Sequence, residues 1–102
     1  MPATIVVLEK NAAAGELIEQ ALREVPGSCV LLSCDPLEVL ELTRRVRIDL
    51  LVSDGILLDD KGALLEQLQS LDRGLRVLHL QAPFSLDDVR VAAALALGQP
   101  PA

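Results

Sequence analysis

Four short apolar segments recur along the chain, each followed by a stretch with helical spacing, and this alternation limits the folds open to it. Thr4 to Leu8 reads TIVVL, apolar on both faces and β-branched, as a fully buried strand does. From Ala12 to Glu24 the period changes. Leu17, Ile18, Ala21, Leu22 and Val25 form one helical stripe, with Asn11 placed to cap it and Pro26-Gly27 to end it. Cys29 to Ser33 is a second strand. Asp35-Pro36-Leu37-Glu38 then opens a helix with a cap, a proline at the first helical position and an acid that completes a capping box. Val39, Leu40, Leu42, Thr43 and Val46 continue its buried side. Asp49 to Ser53 is a third strand, ending at Asp54-Gly55. A helix from about Gly62 to Leu71 turns Leu64, Leu65, Leu68 and Leu71 inward, and Asp72-Arg73-Gly74 stops it. Val77 to Leu80 is a fourth strand. Ser85-Leu86-Asp87-Asp88 caps a last helix that runs through about Leu97.

A βαβαβαβα order of this kind demands a parallel sheet covered by helices on both faces. The 102 residues suffice for one domain, assigned to residues 1–98, with 99–102 as a tail or the start of a linker. Phe84 is the only aromatic, so Leu, Val, Ile and Ala must fill the core.

The totals also exclude function classes. A net charge of −6 disfavours nucleic acid as a partner. Arg44, Arg45 and Arg47 are the densest basic group and read as a solvated helix end. No apolar run reaches the ~20 residues that span a bilayer, and no secretion signal is seen. Cys29 and Cys34 lie on opposite faces of a strand and have no metal-ligand spacing, which suggests a reducing, cytoplasmic setting. No Gly-rich phosphate loop, Ser/His/Asp set or zinc cluster is present, so an enzyme is not expected.

In a parallel α/β sheet, function gathers outside the carboxyl ends of the strands. That rule selects Glu9, Lys10 and Asn11, then Ser33 and Cys34, then Asp54 and Gly55, and finally Gln81 and Ala82. His79, inside an apolar strand, is expected to be a packed histidine, and Cys34 to be structural. Asp59, Asp60 and Lys61 read as a solvated loop.

Four segments carry a family resemblance: VVLEKNAAAGELIEQAL, VLLSCDPLEVLELTRR, IDLLVSDGILLDDKGALLEQL and APFSLDDVRVAAALAL. In that order they resemble the receiver domain of bacterial two-component response regulators, and together they cover most of the chain. The third is the most specific. Asp54 ends its strand, Asp49 lies five residues earlier, and Gly62 lies eight residues later. The resemblance implies a three-layer αβα fold of the flavodoxin and receiver type. It also implies that Asp54 holds the phosphoacceptor position, with Glu9 as the first of two pocket acids and Mg²⁺ held weakly, if at all, by Glu9 and Asp54. The partners implied are a histidine kinase or another signalling protein.

Departures from the family pattern are equally specific. Lys10 stands at the second acid, Gln81 at the hydroxyl residue, and Ala82 at the lysine before Pro83-Phe84. One βα unit of chain is missing before that Pro-Phe, which leaves four strands expected in the order 2-1-3-4. The last of them could answer to the family's fourth or fifth.

Receiver chemistry needs metal and cations around the transferred phosphoryl group. Lys10 removes a ligand and adds a competing cation. Two roles are open to it. It could contact phosphate in place of the missing lysine, or pair permanently with Asp54 and lower that carboxylate's pKa. The loss of the hydroxyl favours the ion pair, although the Gln81 amide can still donate to phosphate. The expected function is therefore an atypical receiver used for protein interaction, as a homodimer or docked on a neighbouring domain, with weakened chemistry at Asp54. The alternative is a receiver phosphorylated on Asp54 by a histidine kinase with Mg²⁺.

Overall fold

The structure is a computed structural model that describes residues 3–9, 11–53, 63–71, 73, 75–80 and 85–98. Eight elements alternate along it: β1 (Ala3–Leu8), α1 (Ala12–Leu22), β2 (Ser28–Ser33), α2 (Pro36–Arg45), β3 (Leu50–Ser53), α3 (Ala63–Leu71), β4 (Arg76–His79) and α4 (Leu86–Ala96). All described strand pairs are parallel, and the order across the sheet is β2-β1-β3-β4. This is the four-stranded order expected from the sequence.

The layers follow from the connections. The chain moves one way across the sheet from β1 to β2 and the other way from β2 through β3 to β4. Crossovers of a single hand must therefore put α1 on one face and α2 and α3 on the other. Two cores result. Ile5, Val7, Leu50 and Val52 pack with Ile18 and Leu22 of α1 and with Val89 and Ala93 of α4. Val6, Leu8 and Leu51 pack with Val39 of α2 and Leu68 of α3 on the opposite face. Period-two alternation along β1 and β3 thus feeds both layers, which is why these central strands read as unbroken apolar runs.

Local signals set the element ends. Asn11 accepts a hydrogen bond from the Ala14 N–H (3.1 Å), and Ser85 accepts one from the Asp88 N–H (3.0 Å). Asp35 accepts from the Leu37 N–H (3.0 Å), with Pro36 at the start of the helix. The expected reciprocal half of that capping box is replaced: the Asp35 N–H donates to Ser33 Oγ (3.2 Å) instead of to Glu38. After α1 the chain turns at Gly27, whose φ of 71° suits glycine, and the Gly27 carbonyl accepts from the Ala3 N–H (2.7 Å).

Several expected core positions are exposed. Leu17 is 53% exposed because it lies on the flank of α1 beside α4, not above the sheet. Val46 leaves the α2 stripe because its backbone is already extended (φ −133°, ψ 148°), which breaks the helical phase. Leu71, on the last turn of α3, and His79, at the end of edge strand β4, are also exposed. Cys29 and Cys34 are both free and exposed.

Candidate functional site at the carboxyl end of the sheet

Strand register fixes which residues meet at this end. Leu8 lies between Ser33 of β2 and Ser53 of β3, and Ser53 pairs with His79 of β4. The next residues extend the pairing. The Glu9 N–H donates to the Ser33 carbonyl (3.1 Å), and the Leu80 N–H donates to the Ser53 carbonyl (2.8 Å). Glu9 is thereby held at the centre of the sheet's carboxyl edge.

Glu9 is buried, only 5% exposed. Its Oε1 accepts from the Asn11 N–H (3.1 Å), which ties the acid to the start of α1. Ile5 and Val7 face α1, so alternation turns Glu9 the same way. Gly15 makes room for it. A Cβ at Gly15 would come 3.4 Å from Glu9 Cβ and 2.8 Å from Leu32 Cδ1, so α1 approaches the sheet closely at this point. Sequence reasoning passed over Gly15; the available signal was a glycine inside a helical stripe.

Ser33 and Ser53 are the other buried polar residues among those described. Ser33 Oγ is used locally, accepting from the Asp35 N–H. Ser53 is 1% exposed, and its Oγ has no hydrogen-bond partner among the described residues. Leu51 faces α2 and α3, so alternation puts the Ser53 side chain on that face, opposite to Glu9.

The structure brings Glu9 to the end of the sheet where Ser53, the residue before Asp54, also ends its strand. Asp54, Lys10, Gln81 and Ala82 fall outside the described residues, as do Gly62, Asp59 and the Pro83-Phe84 pair. Asp49 takes a structural part at the opposite edge. Its Oδ2 accepts from the Thr4 N–H (2.8 Å) and its own N–H donates to the Thr4 carbonyl (2.9 Å), which locks the start of the β1–β3 pairing. Among the described residues, no three His, Cys, Asp or Glu side chains are grouped to hold a metal. Glu9 supplies one buried carboxylate at the end of the sheet where the resemblance implies Mg²⁺.

Four parallel strands in the order 2-1-3-4, with α1 and α4 on one face and α2 and α3 on the other, define a flavodoxin-like fold of the response regulator receiver type. Solved structures agree. A response regulator from Thermotoga maritima superimposes with a TM-score of 0.83 at 16% identity, covering 97% of this chain and 100% of that one. A transiently phosphorylated "switch" in bacterial signal transduction gives 0.78 at 19% identity, with 94% of each chain covered. A response regulator receiver domain protein from Bacillus halodurans gives 0.75 at 17% identity, over 94% of this chain and 97% of that one. No protein-family model matches the sequence, and no curated protein matches it.

Proposed function

We propose that this chain is an atypical receiver domain of two-component-type signalling, acting through protein contacts, with phosphoacceptor chemistry at Asp54 weakened or lost. The supporting observation is a contrast. The scaffold is the receiver fold, with a buried acid kept at the carboxyl end of the sheet. The sequence, however, replaces three polar positions that the family's chemistry uses, with Lys10, Gln81 and Ala82. Phosphoryl transfer relies on positioning and charge stabilisation, so losing a metal ligand and two phosphate contacts together removes most of what catalyses it.

An interaction role needs surface, and the fold offers it. A cleft of about 250 Å³ separates α1 from α4, with Leu17 and Leu86 exposed along it and Arg90 held between Glu24 and Asp87. A cleft that combines exposed leucines with charged side chains suits an amphipathic helix of a signalling partner, a histidine kinase included. The protein is read as a non-enzymatic cytoplasmic module. No helix among the described residues is long and apolar enough to cross a membrane.

The test is amide NMR of the protein with millimolar Mg²⁺ and beryllofluoride, a phosphoryl mimic. The expected result is an unchanged spectrum around Asp54. The alternative, a working phosphoacceptor, draws on the buried Glu9, and it would show as a stoichiometric, Mg²⁺-dependent shift of the Ser53 and Gly55 amides.

A further inference from the structure

Helix α2 buries Val39 in the core over β1 and β3. At 3.6 residues per turn, Leu37, Glu41 and Arg44 lie within about 40° of the line opposite Val39. All three are exposed, and Leu37, at 69%, is the most exposed of the large hydrophobics among the described residues. Glu38 and Arg45 are exposed together on one flank of that stripe. Val46, past the last turn, is exposed on extended backbone.

Charge along this face is ordered. Glu38 and Glu41 come first, and Arg44 and Arg45 close the helix. Such an order suits the helix's own dipole, but the dipole gives no reason for a leucine in the same stripe. Glu41 and Arg44 pair at 3.2 Å while both side chains stay more than half exposed. Glu38 and Arg45 have no ion-pair partner among the described residues.

A partner of one charge would be repelled by half of this face. A parallel copy would set acid against acid. The surface that matches both halves is the same face reversed, and the chain itself supplies it. Resting on the interaction reading above, we infer that a second copy of this chain packs antiparallel along the exposed face of α2, about a two-fold axis level with Leu42 and Thr43. Glu41 of each copy then opposes Arg44 of the other, so four charges alternate around the axis. The two-fold also brings like flanks together, which sets Glu38 of one copy beside Arg45 of the other. Leu37 reaches past the partner copy's last turn to its exposed Val46, giving the contact an apolar element at each end. The contact closes on itself and does not propagate. One ten-residue helix makes a small interface, so the dimer is weak and concentration-dependent.

Sedimentation velocity of the full chain from about 10 to 500 µM tests this, with circular dichroism melts as the folding control. Wild type is expected to dimerise across that range, less so in about 500 mM salt. Leu37→Lys, Glu41→Arg and Arg44→Glu change exposed side chains, so each should keep its melt and weaken the dimer at least about tenfold. An equimolar mixture of Glu41→Arg and Arg44→Glu should dimerise again, because each variant then offers the charge that the other lacks. A mixture that stays monomeric would overturn the pairing. So would a wild-type monomer at about 500 µM. A dimer unmoved by Leu37→Lys and Arg44→Glu would overturn the α2 contact while leaving the interaction reading standing.

Discussion

Ser53 and Gly15 show how closely single residues are fitted at the carboxyl end of the sheet. Ser53 Oγ is buried without a hydrogen bond among the described residues, so its hydroxyl carries a desolvation cost that no described partner offsets. Ser53→Ala should leave stability unchanged or raise it by about 1 kcal/mol, measured by urea unfolding; a clear loss would mean that the hydroxyl is satisfied in solution. Gly15 behaves oppositely. Its missing Cβ admits Glu9 and Leu32, so Gly15→Val overpacks the α1–sheet contact and should cost about 1–3 kcal/mol in the same measurement. Asp49→Ala removes the acceptor of the Thr4 N–H at the start of the β1–β3 pairing and should cost about 1–2 kcal/mol. Of these three residues, only Asp49 was marked in the sequence, through the family spacing. The other two depend on which face of a strand or helix meets which neighbour, and that is decided in three dimensions.

At the level of elements, the sequence carried nearly everything. Caps at Asn11, Asp35 and Ser85 form hydrogen bonds from the chemistry that announced them. Ser85→Ala should lower the melting temperature through a loss of about 1 kcal/mol, because α4 then starts with an unsatisfied N–H. Central strands were legible because burial on both faces forces apolar residues at every position. Edge positions were not. Cys29 and Leu31 on β2 and His79 on β4 sit in apolar runs yet are exposed, because an edge strand has a neighbour on one side only. Leu17 and Val46 kept an apolar identity while the helix flank and the extended backbone that ends α2 took them out of the core. Local pattern reports what a residue could bury, and only the assembled layers decide what it does bury.

The whole molecule combines a receiver scaffold with a changed polar set. The last helix lies on the face of α1, and the match to the Thermotoga maritima regulator runs through essentially the full length of both chains. The four described strands keep the receiver plan and its order 2-1-3-4. Glu9 is retained at the sheet's carboxyl end, buried and tied to Asn11. In the function proposed above, Lys10 is the substitution on which a weakened chemistry would turn, since a cation beside carboxylates both displaces and repels a divalent metal. Isothermal titration of Mg²⁺ into wild type and Lys10→Asp tests this most directly. The account predicts no measurable binding to wild type at millimolar Mg²⁺ and millimolar affinity in the variant. Equal affinities in the two proteins, or none in either, would contradict it.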